Sequence, residues 1–340
     1  MRTLSTFMVL SVTVLAGLVG AQAPKGRHNQ VIALLEQKQP VFGLYAPSNR
    51  RFPGPPQGGT RPAGAPAAPD TPPKSPAELA RQAADYKWSD FVFDGSMEGD
   101  FDKAYPAFVE FAKGLMQAGV IARMPHLHLT HPMIVKSPEL RPGLAAAQAA
   151  IGKQLNLGVS GVMLVTVETA DEARAGIAAM RFKSKGGLRA DDVGQAPAVW
   201  GMTEAEYRQR ADVWPLNPTG ELINWTIVES TKGLANLKEI AAVPGIGVLW
   251  PGAGTLRSVF STTDSSGQRQ VDLVAWEAAI QQVLAACKAN KIACGFPASA
   301  ADIETRLSQG FNVFVMNWGD AGFKTVEMGR KIAGRTGSTQ

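Results

Sequence analysis

Eight short apolar runs, most of them separated by amphipathic helical runs, constrain this 340-residue chain more than any other feature. Each run is rich in Val, Ile and Phe, which is typical of strands that are buried on both faces. The runs occupy residues 40–47, 89–95, 120–125, 161–167, 223–230, 245–250, 291–296 and 312–318. Strands that alternate with helices predict parallel pairing, and eight such units predict an α/β fold of the (β/α)8 TIM barrel type.

An open, doubly wound sheet is the alternative architecture. The barrel is favoured because the count of runs is eight, and because no glycine-rich dinucleotide fingerprint follows the first run. In a barrel the active site lies at the carboxyl ends of the strands. Candidate residues are therefore sought directly after each run.

The first residues have the pattern of a secretory signal. Arg2 precedes a long apolar run, and small residues follow near Ala21. Residues 1–21 are therefore predicted to be a signal peptide, and residues 22–340 a single exported TIM-barrel domain, periplasmic or secreted. An uncleaved membrane anchor is the alternative, because the apolar run approaches spanning length. No later run is long enough to span, so no stable membrane insertion is expected after cleavage.

Two inserts interrupt the predicted barrel. Nine of the 23 prolines lie between Pro53 and Pro76, which predicts an extended Pro/Gly/Ala-rich insert at 47–76, after the first strand. It leaves from the rim that carries the active site and is interpreted either as a lid or as a tolerated insertion. The segment 183–220, before the fifth strand, is too long for an ordinary connection.

Charge and cysteine content limit the possible partners. The net charge of +5 is spread along the chain without a cluster of Lys and Arg, so no nucleic-acid partner is expected. Cys287 and Cys294 are the only cysteines. An oxidising compartment would allow them to form a disulfide, and two small buried side chains are the alternative.

Several segments together resemble the HpcH/HpaI aldolase and citrate lyase family. They occupy residues 91–95, 121–125, 161–182, 186–189, 226–230, 243–256 and 310–320. The resemblance covers most of residues 30–335. It implies a barrel that cleaves or forms carbon–carbon bonds through a pyruvate enolate, with a small 2-oxo acid as substrate. It also implies a homo-oligomer, with the region of 183–220 helping to bind neighbouring subunits.

The resemblance also implies roles for individual residues. A divalent metal ion (Mg2+, Mn2+ or Zn2+) chelates the oxo acid and stabilises the enolate, and Glu229 falls on its carboxylate ligand. Arg123 falls on an arginine that ends the third strand, and Asp94 on the aspartate after the second strand. Three positions depart from the family pattern. Met97 stands where a proton-transferring histidine is expected, Gly254 where a second metal carboxylate is expected, and Ile227 where a glutamine is expected.

Three histidines follow the run at 120–125 and offer a replacement for the missing groups. His126, His128 and His131 are expected on the active rim, close to Arg123 and facing Glu229. A site of His128, His131 and Glu229 would suit Zn2+ or Mn2+, and His126 or His128 would serve as the base. The alternative is that these histidines are solvated or structural.

Two functions follow from the sequence. The first is a metal-dependent carbon–carbon lyase of the aldolase type that acts on 2-oxo or hydroxy acids, with Asp94, Arg123, His126 and His128 as catalytic residues. The second is a catalytically degenerate exported barrel that binds a small acidic ligand or a protein partner. Arg123 and Glu229 favour the enzyme, whereas Met97, Ile227 and Gly254 favour the binding protein.

Overall fold

The computed structural model describes residues 26–49, 72–141 and 143–337. The predicted signal peptide at 1–21 lies outside the described residues. So do residues 50–71 of the predicted insert at 47–76.

Eight parallel strands close into a barrel, which confirms the predicted TIM-barrel fold. The barrel strands are β1 (Val41–Tyr45), β2 (Val92–Asp94), β5 (Met133–Lys136), β6 (Gly161–Leu164), β8 (Leu222–Val228), β9 (Ile246–Pro251), β12 (Ala293–Pro297) and β13 (Val313–Met316). Each strand pairs with the next along the chain, and β13 pairs with β1 to complete the ring. Because all pairs are parallel, the carboxyl ends of the eight strands meet at one face.

Helices surround the strands, and short strands lie outside the ring. The helices are α1 (Gln30–Glu36), α2 (Pro76–Asp85), α3 (Phe101–Gln117), α4 (Leu144–Asn156), α5 (Ala170–Met180), α6 (Ala196–Trp200), α7 (Glu204–Arg210), α8 (Thr231–Ala235), α9 (Leu237–Ala241), α10 (Ala253–Val259), α11 (Leu273–Asn290), α12 (Ile303–Gln309) and α13 (Asp320–Ile332). The short strands are β3 (Ile121–Ala122), β4 (His128–Leu129), β7 (Val213–Trp214), β10 (Ser261–Thr263) and β11 (Arg269–Val271). Strands β3 and β4 form one antiparallel hairpin, β10 and β11 form another, and β7 pairs with β8 at the edge of the barrel.

The third barrel strand lies further along the chain than the sequence predicts. The run at 120–125 was expected to be that strand, but the structure places β3 there, in the small antiparallel hairpin. The barrel strand is β5, whose residues pair in parallel with β2 and β6. The prediction was wrong because 120–125 and 133–136 are both short apolar runs, and propensity does not distinguish a hairpin strand from a barrel strand. The residues that were predicted to lie at the end of this strand therefore lie elsewhere in the structure.

Aromatic side chains fill the interior of the barrel. Phe91, Phe93, Trp225 and Trp250 are all 5% exposed or less. The rings of Trp225 and Trp250 stack with centroids 5.6 Å apart, and Phe93 stacks on Trp225 at 5.8 Å. The barrel is therefore packed through its middle, and the space for a ligand lies above this layer.

The amino end of the barrel is closed by the first described residues. Asn29 caps α1 by accepting a hydrogen bond from the backbone of Val31. Glu221, which directly precedes β8, accepts hydrogen bonds from the backbone N–H groups of His28 and Asn29 at 3.1 and 2.9 Å. This end of the barrel is therefore covered by the chain's own backbone.

A disulfide joins Cys287 in α11 to Cys294 in β12. Of the two alternatives for these cysteines, the structure therefore has the bonded one. None of the helices in the described ranges is both long enough and apolar enough to cross a lipid bilayer.

Candidate active site

Glu229 lies directly after β8, at the face where the strands end. Its carboxylate oxygen Oε1 accepts a hydrogen bond from the backbone N–H of Thr166 at 3.0 Å and from the Thr166 hydroxyl at 3.4 Å. A Cβ atom on Gly252 would lie 2.3 Å from the Cβ of Glu229, so only glycine allows the backbone after β9 to pass so close. Glu229 is 6% exposed, and its carboxylate is held in one orientation.

The backbone of Thr166, which donates to Glu229, has a strained conformation. Its φ angle is 54°, in the left-handed region that a β-branched residue rarely adopts. Such a conformation costs about 1–3 kcal/mol and is characteristic of functional sites. Here it directs the N–H of Thr166 at the Glu229 carboxylate.

Lys136, the last residue of β5, faces the same cleft as Glu229. This inner cleft has a volume of about 230 Å3 and is lined by Lys136, Glu229, Gly254 and the side chains of Phe93, Met163 and Trp250, among others. The ammonium of Lys136 lies 2.6 Å from the Glu98 carboxylate. The inner cleft therefore combines a cation, a carboxylate and an apolar floor.

Lys136 was not among the site residues predicted from the sequence. The signal is a lysine directly after the apolar residues Met133, Ile134 and Val135. A charged residue at the end of a barrel strand is a candidate for the active site. Since β5 is the third barrel strand, Lys136 takes the place that the family resemblance had given to Arg123.

Asp94 ends β2 and lies beside the inner cleft, in a larger outer cleft. Its Oδ1 accepts hydrogen bonds from the backbone N–H and the hydroxyl of Ser96 at 2.8 and 2.5 Å. Burial raises the pKa of this carboxyl, and the two hydrogen bonds from Ser96 oppose the shift. The predicted site residue Asp94 is thus on the expected face, close to Lys136 on the wall of the outer cleft.

The other predicted site residues lie at the opposite end of the barrel. His126 contacts the backbone oxygen of Arg27 at 2.9 Å, and the Arg27 guanidinium lies 3.8 Å from Glu221. Glu221 and Glu229 flank the two ends of β8, eight residues apart, which corresponds to roughly 26 Å at about 3.3 Å per residue. The histidine hairpin is therefore separated from Glu229 by the length of the barrel.

His128 and Arg123 belong to the same hairpin. His128 contacts the backbone oxygen of His126 at 2.9 Å, and Arg123 is exposed. The structure does not bring Arg123, His126, His128 or His131 together with Glu229. The metal site proposed from His128, His131 and Glu229 was therefore placed wrongly, because the strand that should have delivered the histidines is the hairpin β3–β4.

His131 has a structural role at the entrance to β5. It is 1% exposed, its Nε2 lies 3.1 Å from the backbone oxygen of Tyr86, and its Nδ1 lies 2.9 Å from the Thr130 hydroxyl. Burial lowers the pKa of His131 to about 4. The imidazole is therefore neutral at ordinary pH.

This pKa predicts a loss of stability in acid. Between pH 6.5 and 4 the unfolded chain binds a proton that the folded His131 does not, so the free energy of unfolding falls as the pH falls. Going from about pH 7 to about pH 4.5, we expect His131 to contribute a loss of about 2–3 kcal/mol. Denaturant unfolding at both pH values is the measurement. In His131→Gln the loss on acidification should be smaller by that amount, and equal losses in both proteins would contradict the assignment.

The donor groups of the inner cleft do not form the metal site that the resemblance implies. Among its described lining residues, Glu229 is the only carboxylate. Position 254 offers no side chain, and a Cβ built there meets no atom within 4 Å. In the described ranges no three His, Cys, Asp or Glu side chains are grouped so as to hold a metal ion. The described residues therefore do not fit a two-carboxylate site.

Met97, which stands where the resemblance places a histidine, is fully buried. Its sulfur lies 3.6 Å from the Nε2 of Gln154, and the same Nε2 donates to the backbone oxygen of Lys136 at 2.9 Å. Met97 thus contacts the side chain that bonds the backbone at the end of β5.

A model of the HpcH/HpaI aldolase/citrate lyase family matches residues 109–324, more than half of the chain. The chain belongs to the HpcH/HpaI aldolase/citrate lyase family. Glu229, at the end of the fifth barrel strand, lies within the matched range.

Two curated relatives match about half of this chain. The chain is 30% identical over 176 residues to a 2-keto-3-deoxy-L-rhamnonate aldolase of Escherichia coli, which covers 52% of this chain and 61% of that enzyme. It is 27% identical over 165 residues to the 2-dehydro-3,6-dideoxy-6-sulfogluconate aldolase of Pseudomonas putida, which covers 47% of this chain and 57% of the relative. The chain thus spans less than two thirds of the length of these relatives.

Solved structures share the fold over a longer range. A family protein from Burkholderia cenocepacia superposes with a TM-score of 0.60 at 19% identity, covering 89% of this chain and 98% of that one. An HpcH/HpaI aldolase from Desulfitobacterium hafniense gives 0.58 at 15% identity, covering 89% and 95%. At these identities the likeness shows the fold.

Proposed function

We propose that this chain is a carbon–carbon lyase of the pyruvate aldolase type, and that it binds a 2-oxo acid in the inner cleft. The observation that carries the proposal is the presence of Lys136 and Glu229 in one cleft at the carboxyl ends of the strands. Membership of an aldolase family and two aldolase relatives support the reaction class.

The reaction is a retro-aldol cleavage of a hydroxylated 2-oxo acid. The hydroxyl group loses its proton, the bond between its carbon and the carbon next to the oxo group breaks, and an aldehyde leaves. The electron pair of that bond passes to the oxo oxygen as an enolate, which takes up a proton at carbon to give the shorter oxo acid. A fixed positive charge beside the oxo acid lowers the energy of this enolate.

Lys136 is the residue proposed to supply that charge. Its ammonium is a compact cation that pairs with the Glu98 carboxylate at 2.6 Å, so an oxo acid would share it with Glu98. The apolar side chains of Phe93, Met163 and Trp250 reduce the screening of its field by water. Glu229, held by Thr166, is the group proposed to orient the substrate or to accept a proton. The resemblance also implies a divalent ion, but the cleft offers one carboxylate, so no step of the proposal passes through a metal.

A Lys136→Met variant tests the proposal. Loss of a charged hydrogen-bonding group costs about 1.5–3 kcal/mol, which predicts a decrease of about 10- to 100-fold in kcat/KM for cleavage of a short hydroxylated 2-oxo acid. The assay follows the oxo acid product, with and without added Mg2+, Mn2+ or Zn2+.

Lys113→Met is the matched control. Lys113 forms an exposed ion pair with Glu110 at 2.9 Å on α3, so its loss removes the same charge from the surface. Cleavage should be unchanged in this variant. If Lys136→Met cleaves the substrate as fast as the wild-type protein, Lys136 is not the cation of the site.

A catalytically degenerate barrel that binds a small acidic ligand or a protein partner is the second candidate. The absence of a side chain at Gly254 favours the binding protein, because the resemblance implies a carboxylate at this position. Binding of an oxo acid without any cleavage, in the presence of each metal, would favour this candidate over the lyase.

We also propose that the protein is exported. The apolar segment at 1–21 and the disulfide between Cys287 and Cys294 support export, because disulfides persist in oxidising compartments. Sequencing the amino terminus of protein recovered from outside the cytoplasm tests it, and the expected first residue is Gln22. The homo-oligomer stays a prediction, to be tested by light scattering.

A further inference from the structure

The outer cleft adjoins the inner cleft and is much larger. It has a volume of about 900 Å3, against about 230 Å3 for the inner cleft. Tyr45, Phe93 and Lys136 line both. Sites for drug-sized ligands occupy about 300–1,000 Å3, so the inner cleft suits a very small acid and the outer cleft a much bulkier group.

Three polar side chains on the wall of the outer cleft make hydrogen bonds within the protein. The Ser96 hydroxyl donates to Asp94 at 2.5 Å. The Asn49 side chain is bonded at both ends to the backbone of Lys74, at 2.7 and 2.9 Å. Asp100 caps α3 by accepting from the backbone of Lys103 at 3.1 Å. These bonds occupy the Asn49 amide and the Ser96 proton. The charged side chains of Asp94, Glu98, Lys103 and Lys136 also line the outer cleft.

Most of the surface that lines the outer cleft is nevertheless apolar, and three elements contribute to it. Leu79 of α2, Ala104 and Ala107 of α3, and Phe93 of β2 line the cleft. Leu79 and Ala104 are half-buried and Ala107 is exposed. Apolar surface removed from water stabilises a complex by about 25 cal/mol per Å2, whereas a hydroxyl pressed against such a wall without a partner costs about 1–3 kcal/mol.

We propose that the outer cleft is the subsite for the aldehyde half of the substrate, and that this half carries an apolar body, such as an aryl group, rather than several hydroxyl groups. This inference rests on the proposed function, because it takes the inner cleft as the site of the oxo-acid half. Lys136 lies where the two halves join. The apolar body would then contact Leu79, Ala104 and Ala107.

Binding of uncleavable ligands separates this inference from the proposed function. The probes are pyruvate, a 2-oxo acid with a terminal phenyl group and no hydroxyl, and a polyhydroxylated 2-oxo acid of similar length that lacks the hydroxyl at carbon 4 and so cannot be cleaved. Titration calorimetry measures their Kd values on the full chain. We expect the phenyl acid to bind at least about tenfold more tightly than pyruvate, and more tightly than the polyhydroxylated acid.

Filling the outer cleft locates the phenyl group. In Ala107→Trp the affinity for the phenyl acid should fall at least about tenfold, while that for pyruvate stays within about twofold. Ala146→Trp is the matched control, since Ala146 is also an exposed alanine near the start of a helix, α4, and does not line the cleft. Both affinities should be unchanged in it.

The outcomes distinguish the two proposals. If pyruvate binds but the phenyl acid binds no more tightly, or if the polyhydroxylated acid binds best, the inference is overturned and the proposed function stands. An unchanged affinity for the phenyl acid in Ala107→Trp also overturns it. If no oxo acid binds, the proposed function itself fails.

Discussion

A Gly254→Asp variant is expected to bind Mn2+ at least about tenfold more tightly than the wild-type protein, since affinity for hard cations rises with the number of carboxylate ligands. Gly254 and Glu229 line the same inner cleft. Nothing lies within 4 Å of a Cβ at position 254, so the side chain has room. The position is also in the first turn of α10, where a carboxylate is favoured. Titration calorimetry with Mn2+ gives the two Kd values.

Two further variants show whether the new ion lies in the inner cleft. Glu229→Ala combined with Gly254→Asp should lose the gain, because only one carboxylate remains. Gly152→Asp adds the same charge on α4, where a Cβ also meets no atom within 4 Å, and should not change Mn2+ binding. Equal Mn2+ affinity in the wild-type protein and Gly254→Asp would show that the cleft does not direct residue 254 at the ion.

An Asp90→Ala variant is expected to lose about 3–5 kcal/mol of stability, the cost of removing one partner from a buried ion pair. Asp90 is fully buried just before β2. Its carboxylate accepts hydrogen bonds from Arg330 at 2.8 Å and from two nitrogens of Arg335 at 2.6 and 2.7 Å. It also accepts one from the backbone N–H of Phe42 at 2.8 Å. One carboxylate thus ties the end of α13 to the first two barrel strands.

Denaturant unfolding measures this loss, with Glu110→Ala as the control. Glu110 pairs with Lys113 on the surface of α3, and a surface pair contributes about 0–1 kcal/mol. A loss below about 1 kcal/mol in Asp90→Ala would show that the two arginines find other partners or water. If Asp90→Ala does not fold at all, Arg335→Met provides a milder test, because Arg330 still pairs with Asp90.

Which residue is proposed as the cation depends on which run forms the third barrel strand. With 120–125 as the third barrel strand, Arg123 and three histidines would stand beside Glu229. With β5 in that place, Lys136 stands there instead, and the histidines lie at the covered amino end. The change follows from parallel pairing of β5 with both β2 and β6. The local sequence of either run carries no information about that pairing.

The sequence by itself determined the fold and the position of one residue of the proposed site, Glu229. Eight apolar runs alternating with helices predict the barrel, because the period of burial is a local property. The position of Glu229 also follows from the sequence, since it ends a long strand, β8, whose seven residues are all buried.

Only the tertiary structure decided the rest. Lys136 and Glu229 are 93 residues apart in the sequence. They line the same cleft only because β5 is the strand that lies next to β2. The hydrogen bonds that Ser96, Asn49 and Asp100 make on the wall of the outer cleft likewise depend on their side-chain and backbone partners. The physical reason is that propensity and periodicity act over a few residues, whereas barrel closure and cleft chemistry are set by contacts between segments far apart in the chain.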